Sequence, residues 1–482
     1  MKVEAGQLHP LKVAAQKYPS NPALCEGKSS LTYSDLYLKA IQFTRSLTDR
    51  GILPGQIVAL DNLPTKDLII SIWACLLGKF LVFPVNTRFP NASIEEIYSE
   101  LKPALVVSNS SKPDYPSISF SDLCTNDSQI LTDDSLHFDE SLPASLLMTS
   151  GSSGAVKFVQ HSFHNHLESA RGSNQNIRLG AMDGWILSLP LYHIGGLSIL
   201  FRAAISGAAV IIPEEKQSTL VDIKTWGASH ISLVPTQLQR LLRDPAGPEI
   251  LKGMKAILIG GSAISKTLIQ EALSLHLPIH VSYGSTEMTS QINTTTGENR
   301  QAALKNSGVL LSGRDLIISH EGEILVKGNT LAQGYLHDSR LVDLRDEEGW
   351  FHTGDVGYVN VQGELTVTGR MDNQFISGGE NIQPEHIERL LGTFLGIVNA
   401  IVVPRIDEEF GARPVAFLDI AQPGIDGETL GLQLRGQLPG YMIPVAYFEL
   451  PDDVDADKLK ISRQALEQIA NAGNNHLRAL EF

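Results

Sequence analysis

The sequence predicts an α/β fold in which helices cover largely parallel sheets. Short apolar runs alternate with longer amphipathic stretches between residues 32 and 107, and this alternation is typical of parallel strands joined by helices. The chain has 482 residues, of which 43% are hydrophobic and 19% are charged. This composition is that of a globular protein, and the length predicts more than one domain.

Capping and turn residues locate the individual elements. Thr32 and Asp35 form a capping-box pattern that opens a helix extending to about Leu47. A second helix is expected after Lys66. Strands are predicted at 57–60, 81–85, 104–107, 146–148, 209–212, 231–234 and 256–259.

Charge and cysteine content exclude several classes of protein. The formal net charge of −15 argues against a broad electrostatic attraction to nucleic acid or to an anionic membrane, so any phosphate site must be locally basic. Cys25, Cys75 and Cys124 are widely separated, which predicts reduced thiols in a cytoplasmic protein. The apolar run 68–77 is shorter than the ~20 residues that span a bilayer, and lysines near the N-terminus argue against a secretory segment.

A glycine- and hydroxyl-rich turn is predicted after the strand at 146–148. It begins at Thr149, continues through residue 154, and is followed by Lys157. Glycines allow backbone N–H groups to approach a polyphosphate, hydroxyls donate to its oxygens, and a lysine neutralises its charge. Taken alone, the pattern fits a phosphate-binding loop and a simple tight turn equally well, and it lacks the Gly-Lys-Ser/Thr of the common nucleotide loop.

Two positively charged or titratable residues follow in apolar surroundings. His193 stands beside paired glycines at the predicted end of a strand, where it could line a pocket or be a satisfied structural group. Arg202 lies within the apolar run 197–204. A buried guanidinium requires an anion, and this anion could be an internal carboxylate or a ligand carboxylate held bidentately.

The strand ends further along carry residues suited to a nucleotide. The strand at 256–259 ends in Gly260 and the small residues after it, at the edge where ligands bind to open α/β sheets. The next strand leads to Tyr283, Thr286 and Glu287. These residues supply an aromatic ring for stacking, a hydroxyl for a phosphate and a carboxylate for magnesium, although Glu287 would also fit an ordinary surface position.

Taken together and in this order, the motifs resemble the acyl-adenylate-forming superfamily of acyl-CoA ligases, luciferases and peptide-synthetase adenylation domains. The matching segments are TSGSSGAVK, SYGSTE, GWFHTGD, GRMD and ISGGENIQP, and the resemblance covers nearly the whole chain. The segments LSLPLYHIGGLSILFR and LKISRQALEQ are similar to the o-succinylbenzoate–CoA ligase branch, which serves menaquinone biosynthesis. The resemblance implies a large N-terminal domain, 1–369, of helix-covered sheets plus a small β-barrel-like subdomain. It also implies a small mobile α+β C-terminal domain, 370–482.

The resemblance also implies roles for individual residues. The expected catalytic residues are Lys460, Thr286, Glu287 and Arg370, with Glu287 as the magnesium ligand, although Lys460 taken by itself could be a solvated lysine. Asp372 matches the hinge between the domains, and Gly378 and Gly379 match the face that binds coenzyme A. The expected ATP-binding residues are Thr149, Ser150, Gly151, Ser152, Ser153, Gly154, Lys157, Gly261, Ser262, Ala263, Tyr283 and Asp355.

o-Succinylbenzoate has one carboxylate to activate and a second to recognise, so its pocket requires a permanent cation. Arg202 is the candidate, with Ser232 and Gln291 as polar partners and His193 and Gly284 as parts of the acyl wall. Another aryl- or medium-chain acyl-CoA synthetase and a non-catalytic ATP-binding protein are the alternatives. The implied co-substrates and cofactor are ATP, coenzyme A and Mg²⁺, without a prosthetic group.

Two positions depart from the family pattern, since Val156 replaces a usual proline and Leu459 a usual glycine. Neither change removes a charged or hydroxyl group, so we expect an active enzyme. The expected partners are small molecules, with no nucleic acid and no membrane insertion. A homodimer is a further expectation, because large domains of this kind commonly dimerise.

Overall fold

A computed structural model describes most of the chain. The described residues are 9–110, 114–123, 139–150, 156–214, 217–421, 426–451, 462–472 and 479–480.

Helices and strands alternate through most of the described residues up to 285, and strands predominate from there to residue 382. The helices are α1 (Pro10–Lys17), α2 (Tyr33–Asp49), α3 (Thr65–Leu77), α4 (Asn91–Leu101), α5 (Phe120–Leu123), α6 (Phe163–Ile177), α7 (Ile194–Ser206), α8 (Thr219–Trp226), α9 (Pro235–Arg243), α10 (Gly247–Lys252), α11 (Lys266–Ser274), α12 (Pro384–Leu391), α13 (Gly427–Arg435) and α14 (Arg463–Asn471), with 3₁₀ turns at Arg300–Leu304, Met371–Asn373 and Gly440–Met442. The strands are β1 (Pro22–Glu26), β2 (Ser29–Thr32), β3 (Ile57–Asp61), β4 (Leu81–Pro84), β5 (Leu105–Ser108), β6 (Ser117–Ile118), β7 (Pro143–Ser150), β8 (Val156–Ser162), β9 (Gly184–Ile186), β10 (Ala209–Ile212), β11 (His230–Leu233), β12 (Ala256–Ile259), β13 (Ile279–Ser285), β14 (Ser290–Thr294), β15 (Val309–Leu310), β16 (Arg314–Ile318), β17 (Glu323–Gly328), β18 (Gly334–His337), β19 (Arg340–Val342), β20 (Phe351–Val359), β21 (Leu365–Arg370), β22 (Phe375–Ser377), β23 (Glu380–Ile382), β24 (Ile397–Asp407), β25 (Gly411–Ile420) and β26 (Tyr447–Glu449).

Two large mixed sheets confirm the predicted α/β fold. The nine-stranded sheet has the order β15-β14-β13-β12-β11-β9-β10-β1-β2, and the eight-stranded sheet has the order β19-β18-β8-β7-β4-β3-β5-β6. The centre of each sheet is parallel, whereas β2, β14 and β15 in one sheet and β8, β18 and β19 in the other pair antiparallel. The parallel centres follow from the alternation of helices and strands, because parallel neighbours require a crossover connection.

The largest apolar core joins both sheets. It contains buried residues of α2, α3, α6 and α7 together with Val58 of the eight-stranded sheet and Val210 of the nine-stranded sheet. These helices therefore bury apolar surface against strands from the two sheets. The predicted capping box is confirmed at the start of α2, where Thr32 and Asp35 exchange hydrogen bonds.

The later part of the chain contributes three smaller sheets. The antiparallel sheet β16-β17-β20-β21 corresponds to the small β-barrel-like subdomain of the expected fold. Beyond it, β22–β23 and β24–β26 form sheets of their own. Two apolar clusters around β24 and β25 contain only residues from 375 onwards. No helix in the described part of the chain is both long and apolar enough to cross a bilayer.

Local predictions near the candidate site need two corrections. Thr149 and Ser150 do not begin a turn, because β7 continues through Ser150 and pairs antiparallel with β8. His193 does not end a strand: it is the N-cap residue of α7, well after β9. In the first place, strand pairing overrides the preference of glycine and hydroxyl residues for turns. In the second, the apolar residues after His193 form the largely buried helix α7.

Gly284 provides a test of the packing between β13 and β14. It pairs with Gln291, and a Cβ atom at this position would lie 1.9 Å from the Ser290 carbonyl oxygen. Because a backbone atom cannot swing aside, we expect Gly284→Ala to lower the free energy of unfolding by about 1–3 kcal/mol. Gly180→Ala is the control, since its Cβ would meet its nearest atom at an ordinary 3.6 Å. Denaturant unfolding curves that place both variants within about 0.5 kcal/mol of the parent would contradict this packing.

Candidate active site

A cleft of about 2800 Å³ gathers most of the predicted side chains. It lies at the carboxyl ends of β11, β12 and β13, the edge where ligands bind to α/β sheets. The predicted residues that line it are Thr149, Lys157, His193, Arg202, Ser232, Gly261, Ser262, Ala263, Tyr283, Gly284, Thr286, Glu287, Gln291, Asp355, Arg370 and Asp372.

Other predicted residues lie outside the described part of the chain or do not line the cleft. Gly151, Ser152, Ser153, Gly154, Leu459 and Lys460 lie outside the described residues, as does Cys124. Ser150 is described as the last residue of β7. Gly378 and Gly379 form the turn between β22 and β23 and are not among the residues that line the cleft, so their role in binding coenzyme A stays a prediction.

The β7–β8 hairpin presents Lys157 to the cleft. Lys157 is exposed, and it stands opposite Thr149 in the strand pairing. Its Nζ lies 4.9 Å from the centre of the Tyr335 ring, within the range of a cation–π contact. The lysine is therefore held at the cleft wall by an aromatic ring.

The turn after β13 carries Thr286 and Glu287, and three hydrogen bonds hold it. The Nε2 of His161 donates a 2.8 Å hydrogen bond to the Thr286 carbonyl. The Tyr335 hydroxyl donates to Oε1 of Glu287 at 2.8 Å, and the Ala332 N–H donates to the Glu287 carbonyl at 2.8 Å. The turn thus has both backbone carbonyls and one carboxylate oxygen occupied by donors.

His161 acts here as a neutral donor. It is fully buried, and burial lowers its pKa to about 4. Because Nε2 donates to Thr286, Nδ1 is the acceptor, and the Ser145 hydroxyl lies 3.4 Å from it. The ring is therefore fixed in one tautomer at neutral pH.

A second group of polar residues surrounds Asp355. The Tyr283 hydroxyl donates to one carboxylate oxygen of Asp355 at 2.6 Å, and Arg370 donates to the other at 3.1 Å. Arg370 also forms two hydrogen bonds with Asp372, at 2.9 and 3.2 Å. Burial and the neighbouring Asp355 carboxylate raise the pKa of Tyr283 well above its ordinary value, so this hydroxyl remains a donor.

The backbone before Asp355 is held by Glu323. One oxygen of the Glu323 carboxylate accepts the Gly354 N–H at 2.9 Å, and the other accepts from His352 at 2.8 Å. Gly354 has a φ of 69°, which a residue with a Cβ atom adopts only with strain. This irregular position within β20 precedes Asp355, which lines the cleft.

Arg202 lies at the opposite wall of the cleft, on α7. Its side chain is fully buried, one guanidinium nitrogen donates to the Ser290 hydroxyl at 3.2 Å, and its guanidinium carbon lies 5.2 Å from the centre of the Trp185 ring. Among the described residues, Nε has no hydrogen-bond partner, and no carboxylate forms an ion pair with this arginine. Burial and the nearby Arg314 guanidinium lower its pKa to about 9, which leaves it charged at neutral pH.

Polar residues next to Arg202 complete this wall. The Trp185 indole donates to the Ser232 hydroxyl at 3.1 Å. The side-chain amide nitrogen of Gln291 donates to Thr294, whereas its buried Oε1 has no partner among the described residues. Arg314 holds the backbone here by donating to the Gln291 carbonyl at 2.8 Å. The wall therefore offers a buried cation and an unpaired acceptor to a ligand.

Several residues of this site were not predicted from the sequence. His161, Trp185, Ser290 and Tyr335 contact the predicted residues directly. Their neighbours along the chain carry no motif that distinguishes them from core or strand residues. The partners lie 17 to 125 residues apart for three of these contacts, so only the folded arrangement identifies them.

Glu287 is the residue best suited to a divalent cation. The described residues contain no group of three or more His, Cys, Asp or Glu side chains that could form a complete metal site. Magnesium is commonly bound by one or two carboxylates together with substrate phosphates. A single carboxylate in the same cleft as Lys157 fits that mode of binding.

Comparisons with known proteins agree with this geometry. The family model described as AMP-binding enzyme matches residues 11–336. The 2-succinylbenzoate–CoA ligase of Escherichia coli K12 is 32% identical over 449 residues, which cover 92% of this chain and 94% of the relative.

Solved structures show the same fold. The o-succinylbenzoate CoA synthetase MenE of Bacillus subtilis, in complex with the acyl-adenylate intermediate OSB-AMP, superposes with a TM-score of 0.83 at 26% identity, covering 99% of both chains. The same synthetase in complex with ATP and magnesium ion superposes with a TM-score of 0.81 at 27% identity, covering 92% of this chain and 96% of that one. The chain therefore belongs to the AMP-binding enzyme family.

Proposed function

We propose that this protein is an AMP-forming 2-succinylbenzoate–CoA ligase. The observation that carries the proposal is Arg202, a buried guanidinium without a described carboxylate partner in the same cleft as the nucleotide-binding motifs. Such a charge requires an anionic ligand. An acid that keeps a second carboxylate after the first is activated supplies that anion, whereas a simple fatty acid does not.

The nucleotide would lie along the wall from Lys157 to Asp355. Lys157 and the residues 149–154 would bind the β- and γ-phosphates, and Thr286 the α-phosphate. Gly261, Ser262, Ala263 and Tyr283 would surround the adenine. Asp355, oriented by Tyr283 and Arg370, would accept hydrogen bonds from both ribose hydroxyls.

The first half-reaction joins two anions. A carboxylate oxygen of the acid forms a bond to the α-phosphorus of ATP, the bond from that phosphorus to the bridging oxygen breaks, and pyrophosphate leaves. In-line positioning and neutralisation of charge are the main contributions of the protein. Lys460 would contribute the cation between the carboxylate and the α-phosphate. Mg²⁺ bound by Glu287 and the phosphates would neutralise charge on the leaving group.

The second half-reaction produces the thioester. The thiolate of coenzyme A attacks the acyl carbon, the C–O bond of the mixed anhydride breaks, and AMP leaves. We assign the boundary between the N-terminal domain, 1–369, and the C-terminal domain, 370–482, to the end of β21. The separate cores beyond residue 375 support this boundary, and rotation about Asp372 would exchange Lys460 for Gly378 and Gly379.

The acid substrate is the first prediction. We expect pyrophosphate release from ATP and magnesium with o-succinylbenzoate, and thioester formation only after coenzyme A is added. Benzoate and octanoate should release far less, because they have no second carboxylate for Arg202. Release that is faster with benzoate or octanoate would assign the enzyme to another acyl-CoA synthetase, and ATP binding without release with any acid would contradict catalysis.

Arg202→Met should separate recognition of the acid from binding of ATP. Loss of a buried charge that pairs with the distal carboxylate costs about 2–5 kcal/mol, so kcat/KM for o-succinylbenzoate should fall by about 30-fold or more. The KM for ATP should change little. An equal loss with benzoate as the acid would contradict a role in recognising the second carboxylate.

Stability measurements provide the matched control for that variant. Arg202 forms one described hydrogen bond to a side chain, whereas Arg314 donates to the Gln291 and Ser312 carbonyls. Arg202→Met should therefore leave the unliganded protein as stable as the parent or more stable. Arg314→Met should destabilise it, because the buried Gln291 carbonyl and the partly buried Ser312 carbonyl lose their donor.

Lys460→Ala should divide the two half-reactions. We expect carboxylate-dependent pyrophosphate release to fall by about 10²–10³-fold, as for loss of one stabilising donor in a transition state. Conversion of a supplied acyl-adenylate to thioester should continue, because the lysine acts only in adenylation. Lys224→Ala is the control, since this exposed lysine of α8 does not line the cleft. A parallel loss of both half-reactions would contradict the assignment.

A further inference from the structure

We propose that Tyr335 is a positioning residue that sets Lys157 and Glu287 relative to each other and so prepares the site for magnesium-bound ATP. The inference rests on the proposed function and adds to it a residue that no sequence motif had identified. Three observations carry it: the position of the ring, the bond of the hydroxyl, and the absence of a direct ion pair between the two charged residues.

The ring position follows from strand pairing. β18 runs antiparallel to β8, and Tyr335 stands directly opposite Val159. Lys157 is two residues from Val159 along β8, which makes it the diagonal neighbour of Tyr335 on the same face of the sheet. The 4.9 Å distance between Nζ and the ring centre is therefore a consequence of the register.

The hydroxyl of the same side chain reaches the carboxylate of Glu287. A tyrosine hydroxyl has an ordinary pKa of about 10 and keeps its proton at physiological pH. It donates to Oε1 at 2.8 Å, and two residues before β18 the Ala332 N–H donates to the Glu287 carbonyl. One short segment thus holds Glu287 by its backbone and its side chain.

The third observation concerns charge. Lys157 and Glu287 both line the cleft and both contact Tyr335, yet no ion pair joins them in the described structure. If they paired with each other, the lysine would be partly neutralised and less available to phosphate, and the carboxylate would be less available to a cation. Tyr335 gives each of them a neutral partner instead.

This arrangement suits magnesium-bound ATP. A carboxylate that has one oxygen hydrogen-bonded presents the other in a defined direction, and such outer partners commonly change metal affinity by about 10–100-fold when removed. The ring meanwhile keeps the ammonium group at the cleft wall, where it can meet a phosphate. Tyr335 contacts neither substrate in this proposal; it acts through Lys157 and Glu287.

Binding measurements on the whole protein test the two functions of the side chain separately. ATP is titrated by calorimetry in excess Mg²⁺ and again in EDTA. Tyr335→Phe keeps the ring and removes the hydroxyl, so the gain in ATP affinity on adding Mg²⁺ should shrink by about 10-fold, with affinity in EDTA unchanged. Tyr335→Leu also removes the ring, so its affinity for ATP in EDTA should be about three-fold lower than that of Tyr335→Phe.

Tyr115→Phe is the matched control. This variant removes a tyrosine hydroxyl that donates to the Glu95 carbonyl, and Tyr115 does not line the cleft. It should bind ATP like the parent in both buffers. Thermal unfolding of all three variants distinguishes a local change in binding from a loss of fold, and Tyr335→Phe alone tests the hydroxyl if the leucine variant is unstable.

The outcomes separate this inference from the proposed function. An unchanged gain in ATP affinity on adding Mg²⁺ to Tyr335→Phe would overturn the positioning role of the hydroxyl. A larger gain would overturn it too, because the hydrogen bond would then compete with the cation for Glu287. Unchanged affinity in EDTA for a folded Tyr335→Leu would overturn the role of the ring. If the parent protein binds magnesium-bound ATP but fails to release pyrophosphate with every acid tested, the proposed ligase activity is refuted. The ATP affinities of the Tyr335 variants would still decide the role of Tyr335.

Discussion

The Arg202 guanidinium is buried with no described carboxylate beside it, and much of the acid-binding wall is arranged around this uncompensated charge. The Trp185 ring lies near the guanidinium and the Ser290 hydroxyl accepts one of its hydrogens. Neither contact neutralises the charge, since a ring quadrupole and a hydroxyl provide only partial compensation. Burial and a second guanidinium, Arg314, lower the pKa of the first to about 9, so Arg202 stays charged at neutral pH within a protein whose overall charge is −15. An anionic ligand is the component that completes this wall.

The nucleotide wall follows the opposite principle. Here each charged side chain already has a polar or aromatic partner: Lys157 has Tyr335, Glu287 has the Tyr335 hydroxyl, and Asp355 has Tyr283 and Arg370. Pre-oriented groups of this kind reduce the reorganisation required when charge develops. The proposed nucleotide wall is therefore pre-organised, which suits a co-substrate that is the same in every reaction. The wall around Arg202 lacks a negative charge, which suits discrimination among acids.

Local sequence signals predicted much of the fold but few of its contacts. The capping box at Thr32 and the strands near residues 57, 209 and 256 depend on short patterns, and the structure has them. The arginine in an apolar run was recognisable because burial of such a residue is costly wherever it occurs. The pairing of β8 with β18 joins residues more than 170 positions apart, so the proximity of Lys157, Tyr335 and Glu287 had no local signal. A different pairing, that of β7 with β8, extends β7 to Ser150, where glycine and serine content alone predicted a turn.

The two ends of the cleft are connected by one short piece of backbone. Thr286 and Glu287 are part of the proposed nucleotide wall. Ser290, only three residues after Glu287, accepts a hydrogen bond from Arg202. In this piece of backbone Thr289 and Ser290 adopt φ values of 52° and 95°, and each such conformation costs about 1 kcal/mol or more for a residue with a Cβ atom. Hydrogen bonds from Ser169 to the Thr289 carbonyl and from Thr289 to the Thr330 carbonyl hold this conformation. Adenylation requires the acid carboxylate to meet the α-phosphorus in line. A strained but well-anchored turn contacts both walls. In the binding mode that we propose, with the acid between Arg202 and the α-phosphate, the length of the acid would therefore depend on this backbone as much as on the pocket side chains.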